Sequence, residues 1–179
     1  MREISFSPEV ALASVLYVLQ QRGSTTVHDL LKACYFADKE HLSRFGWLGI
    51  GDRYCAMTFG PVPSTTYDLL KAAGNKRNNA PPKFVKLARE VLDGSAYPTI
   101  KSRRSPEMTL LSPALVQCLD AAVKKTNKWT FSRRTSESHD VAWTKARARW
   151  AEDGNMDMPV DLIAEALPNG QEVREHISN

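Results

Sequence analysis

Cysteine is scarce in this chain, and nothing about its placement suggests pairing. Cys34, Cys55 and Cys118 are three widely spaced thiols, an odd number with no C-x-x-C pair. That argues against a disulfide scaffold or a local zinc knuckle, and it fits a cytoplasmic protein with buried, inert thiols. Apolar runs are short, none approaching the roughly 18 residues of a membrane span. The opening MREISFSPEV lacks the apolar core and small-residue cleavage site of a secretory signal. Catalytic signatures are missing too. There is no G-x-x-x-x-G-K-[ST], no G-x-G-x-x-G, no H-E-x-x-H and no G-x-S-x-G. The four histidines, His28, His41, His139 and His176, have no local metal spacing. A metal site would require the fold to bring Asp38, His41 and His139 together. No cofactor, no bound metal and no catalytic residue is expected, and a metal-dependent hydrolase is the least favoured reading.

What is present is an ordinary globular composition, with 42% hydrophobic and 25% charged residues among 179. A single domain spanning 1–179 is expected, its core at about 8–150 and a last helix and acidic tail at 151–179. The net charge of +4 is unevenly spread. Residues 1–70 carry 6 Lys+Arg against 7 Asp+Glu, 71–150 carry 17 against 6, and 151–179 carry 1 against 7. A basic middle beside an acidic end suits an acidic protein partner, a nucleic acid, or a tail folded over its own basic surface.

Helices dominate the pattern. Ser7-Pro8 opens the first, apolar nearly all round from Val10 to Leu19, and Gly23 stops it. Thr26 and Asp29 resemble a capping box opening the second, with Asp in place of Glu. Ser112-Pro113 repeats the first opening, Thr130–Ser138 reads as a short helix, and Val160–Leu167 as the last. Pro168-Asn169-Gly170 then releases an acidic tail. Strands are expected at Tyr54–Phe59, Tyr97–Ile100 and Met108–Leu111, forming one small antiparallel sheet. The expected class is α+β, predominantly α-helical, with a two- or three-stranded sheet.

The stretch Leu30–Pro63 concentrates the unusual residues. Asp38 and His41 extend the inward stripe of the second helix, whereas Lys39 and Glu40 point to solvent. A carboxylate beside a core must be bonded, so Asp38 is expected to accept from nearby amides or from His41. Gly49, Gly51 and Asp52 shape a tight loop, and the Tyr54–Phe59 strand is expected to be covered on both faces. Gly60-Pro61-Val62-Pro63 ends that strand rigidly, and Ser64 caps the next helix, which carries Tyr67. Further on, His139, Trp143, Arg147 and Trp150 share a helical face suited to packing or contact.

Arg103-Arg104, Lys124-Lys125 and Arg133-Arg134, interleaved with Trp129 and Phe131, are the kind of clusters that neutralise phosphates. No helix-turn-helix or zinc finger accompanies them. A DNA-binding transcriptional regulator is therefore an alternative, not the first reading.

Three ordered motifs, YFADKEHLSRFG, GDRYCAMTFGPVPSTTYDLL and SHDVAW, resemble the Panacea domain family of SocA-like antitoxins and phage-associated proteins. The motif positions are Tyr35, Asp38, His41, Gly51, Asp52, Tyr54, Gly60, Pro61, Val62, Tyr67, His139 and Trp143, with Phe59 where tyrosine is common. The resemblance covers roughly residues 8 to 150 and includes no appended DNA-binding domain. It implies an antitoxin that binds and neutralises a cognate protein toxin, by sequestration or as a proteolytic adaptor for a Clp-type protease. The motif residues are then the frame of the binding surface. Arg103, Arg104, Arg133, Arg134, Arg147 and Trp150 are the expected contact surface, Arg and Trp being common interface anchors.

Overall fold

Residues 6–178 are described by a computed structural model. Ser7 accepts from the Val10 amide and starts α1 (Pro8–Arg22), whose residues from Ala11 to Leu19 are all buried. A helix with no solvent side has to lie in the middle, and α1 does. Gly23, at φ 75°, turns the chain into a two-residue strand, β1 (Thr25–Thr26).

Thr26 caps α2 (Val27–Phe45) by accepting from the Asp29 amide at 3.2 Å. The reciprocal half of the expected capping box does not form. The Asp29 carboxylate instead receives the Arg22 guanidinium and, at 2.8 Å, the Thr25 hydroxyl. A charged donor in a buried setting outcompetes a neutral amide. Lys39 is likewise not solvated: its ammonium lies 2.7 Å from the Asp140 carboxylate.

The strands form two sheets, not one. In the first, β1 pairs antiparallel with β5 (Thr99–Ser102), which also pairs with β4 (Leu92–Asp93). The second has the order β3-β2-β6, made of Gly60–Pro63, Tyr54–Met57 and Asp157–Met158. Gly60-Pro61-Val62-Pro63 thus does not end the strand; it is the edge strand of a hairpin, with Ala56 opposite Pro61 and Tyr54 opposite Pro63. The prolines alternate with Gly60 and Val62, so donors are lost only at every second position, which an edge strand tolerates. Met108–Leu110 is a single 3-10 turn, not a strand.

The remaining helices are α3 (Ser64–Ala73), α4 (Pro82–Val91), α5 (Pro113–Thr126), α6 (Phe131–Ser138), α7 (Val141–Asp153), α8 (Val160–Ala164) and α9 (Gly170–Ser178). The last of these corrects the reading of a released acidic tail. Val173 buries its side chain, and Ser43 and Asn169 exchange two hydrogen bonds of 2.8 and 2.9 Å that pin the start of α9 to α2. Among the described residues, no helix is long and apolar enough to cross a membrane.

Candidate functional site

The site is assembled around the β2–β3 hairpin, which three buried polar side chains hold from beneath. Asp38, fully buried on α2, accepts from the Ile50 amide at 2.7 Å and from the Tyr54 hydroxyl at 2.8 Å. Burial pushes its pKa up to about 7 against the lowering effect of those bonds. His41 is not its partner. The Nδ1–H of His41 donates to the Trp47 carbonyl at 2.8 Å, and burial lowers the pKa of its ring.

Asp52 holds the far end of the hairpin. It accepts from the amides of Thr65 and Thr66 at 3.2 and 2.7 Å and from the Thr66 hydroxyl at 2.8 Å. The cap of α3 is therefore Asp52, twelve residues upstream of the expected Ser64, whose hydroxyl lies 3.1 Å from the Cys55 sulfur instead. An anionic acceptor at a helix N-terminus binds the free amides more strongly than a neutral hydroxyl does.

Lys32 supports the turn side. Its buried ammonium donates to the Pro61 carbonyl at 2.8 Å. Desolvation draws its pKa down to about 7. Gly60, at φ 103°, passes directly over Lys32 and the Ser138 hydroxyl, where a Cβ would collide with both. No sequence signal marked Lys32, because a lysine on an apolar stripe ordinarily snorkels to water.

The third motif docks on the hairpin tip. Asp140 caps α7 by accepting from the Trp143 amide at 3.1 Å, and its other oxygen takes the Tyr35 hydroxyl and the Lys39 ammonium, both at 2.7 Å. Asp140 was also missed, although Asp three residues before Trp143 is an N-cap spacing. His139 stacks on Trp143 with centroids 3.5 Å apart and planes 4° apart, and the Trp143 indole donates to the Met57 carbonyl at 2.9 Å. Arg147 covers the Trp150 ring at 4.3 Å and points a nitrogen at the Ala56 carbonyl, 3.4 Å away. On the other flank, Phe131 meets Phe59 edge to face at 5.3 Å and lies against His28 at 4.2 Å. Burial first, then the Lys32 charge, lowers the pKa of both His28 (to about 4) and His139, which keeps these rings neutral at pH 7.

The outcome is an apolar face open to solvent. Phe59 is 57% exposed, Phe131 49%, Trp150 41% and Met57 37%. The expected burial of the Cys55, Met57 and Phe59 side of the strand is thus overturned at Met57 and Phe59; Cys55 is half-buried, and Tyr54 and Ala56 are fully covered. Arg53, Arg147 and Arg149 stand around this face, partly balanced by Asp157.

The expected arginine surface is split. Arg147 and Trp150 border the hairpin face, whereas Arg133 lies over the Trp129 ring and beside Glu137. Arg134 is turned inward, 3.4 Å from Asp29 and bonded to the Trp129 carbonyl. Arg103 and Arg104 sit elsewhere, beside β4 and between α1 and α4. Asp38, His41 and His139 each have separate neighbours, and no group of three His, Cys, Asp or Glu among the described residues is placed to hold a metal.

The motifs that build this hairpin and its support fall inside one match. A model of the family described as Antitoxin SocA-like, Panacea domain, matches residues 30–144. The chain belongs to that family. Within the Panacea domain so defined, the matched span starts in α2 and ends in α7, and so includes the whole hairpin, α6 and the His139–Trp143 stack. Neither the curated proteins nor the solved structures give a match to this chain.

Proposed function

We propose that this chain is the antitoxin of a toxin–antitoxin pair, and that it seats its protein toxin on the hairpin face. The observation carrying this reading is the convergence of the three family motifs. Asp38, Lys32 and Asp52 hold the hairpin and Trp143 locks its tip, while Phe59, Met57 and Phe131 stay in water. A chain that buries every polar support and leaves its aromatics exposed has built a contact surface. Its arginine border suits a toxin surface with an apolar centre and an acidic rim.

The protein acts by binding and not by catalysis, and its working compartment is the cytoplasm, where unpaired cysteines such as buried Cys34 and Cys118 persist. Neutralisation proceeds by covering the toxin or by handing it to a Clp-type protease. Co-expression with the product of the adjacent gene tests the reading: growth is rescued and the two proteins co-purify. Phe59→Asp abolishes both effects with the melting temperature unchanged. Rescue by the variant would overturn the assignment of the face. Toxin half-life with and without the protease separates covering from delivery.

A further inference from the structure

A second surface, distant in the fold from the hairpin, gathers cations around α4. The loop leading into α4 exposes Lys76 and Arg77, and the helix exposes Lys83, Lys86 and Arg89. The strand β5 and the turn after it add exposed Lys101, Arg103 and Arg104. Contacts bring these segments together. Arg89 donates to the Ala72 carbonyl at the end of α3 at 3.0 Å, and Lys76 lies over the Tyr97 ring just before β5. Arg103 donates to the Leu92 carbonyl at the end of α4, and Arg104 shares a crevice with Leu87 and Val91 of that helix.

These eight cations face only Glu90 and Asp93 within residues 74–104. The pairs are long, 3.9 Å for Lys86–Glu90 and 3.6 Å for Arg103–Asp93, and Glu9 and Glu107 border the α1 side. We propose that this pole binds the phosphate backbone of double-stranded nucleic acid, independently of the toxin face.

The choice of ligand follows from what the pole lacks. Its rings are covered by lysines, Phe84 by Lys83 at 4.8 Å and Tyr97 by Lys76, so no aromatic platform is offered to unstacked bases. A protein interface centres on apolar anchors, and among the described residues only Met108 and Leu110, at the margin, are large, apolar and exposed here. Exposed cations with the exposed asparagines Asn75 and Asn79 between them suit phosphate oxygens, and they read no sequence.

The test is fluorescence anisotropy of the full chain with a labelled 20-base-pair DNA duplex of mixed sequence. Roughly five phosphate contacts give a log–log salt slope of about −4.5, an affinity loss of about 500-fold between 50 and 200 mM salt. Lys83→Glu/Lys86→Glu and Lys101→Glu/Arg104→Glu should each weaken binding at least tenfold, and Phe59→Asp should leave it unchanged. The neutral pair Lys83→Gln/Lys86→Gln, expected to lose less than the reversal, keeps the test decisive if a reversal unfolds the chain. A slope flatter than about −2 would overturn the proposal. So would indifference to the pole variants, or displacement of the duplex by polyglutamate at a lower charge concentration.

Discussion

The indole Nε1–H of Trp143 donates to the Met57 carbonyl at 2.9 Å, and this bond ties α7 to the tip of a hairpin formed far earlier in the chain. Trp143→Phe keeps a ring to stack on His139 but removes the donor together with part of the stacked indole. It should cost about 1 kcal/mol, lowering the melting temperature by roughly 2–4 °C, and should weaken toxin capture. Thermal denaturation beside a pull-down checks both, and an unchanged melt with unchanged capture would remove the lock from the account.

Asp38 ties the middle of the loop between α2 and β2 to the start of β2, through Ile50 and Tyr54. Asp38→Ala strands a buried amide and a buried hydroxyl and should cost about 2–4 kcal/mol. Asp38→Asn, which keeps one acceptor, should cost less. Urea denaturation of the two variants measures the difference; equal losses would mean that shape, not acceptance, matters at this position.

Lys32 is buried, and its pKa falls from an ordinary 10.5 to about 7. The unfolded chain holds the extra proton between those values, so stability rises as pH climbs from about 7 and is lost as pH falls through it. The useful window is about pH 7 to 7.5, below the range where unfolded thiols and tyrosines ionise. Lys32→Met should flatten that slope, because the ammonium's desolvation cost disappears together with its bond to the Pro61 carbonyl. Denaturant midpoints across the window report it, and a slope unchanged by the substitution would clear Lys32 of the effect.

The last helix is held by buried Val173 and partly buried Ile177, an exchanged pair of hydrogen bonds and the Arg174–Glu165 ion pair. Val173→Asp puts a charge into that contact and should free α9 while leaving the hairpin face intact. Hydrogen exchange should then accelerate across 170–178 and stay slow in α1 and α2. Uniform acceleration would show that α9 is part of the cooperative core.

How much was legible in the residues differs from element to element. Ser7, Thr26 and Ser112 announced three helix starts correctly, and the inward placement of Asp38 and His41 followed from helical spacing. The strand β3 was misread because prolines are counted against strands, and only its place at a sheet edge makes them acceptable. Asp29 and Lys39 were assigned by their immediate neighbours, whereas Arg22 and Asp140 decided where they went. Met57 and Phe59 stay exposed although they are apolar, because apolarity does not say whether a partner element arrives.

Caps, helix periods and the ordered motifs depend on residues within a turn or two of one another, so the helical class and the family could be read from the residues alone. The union of Trp143 with Met57, of Lys32 with Pro61 and of Asp140 with Tyr35 was decided only in three dimensions. Such bonds join residues with no shared period, and their strength comes from burial that exists only once the chain has closed around them.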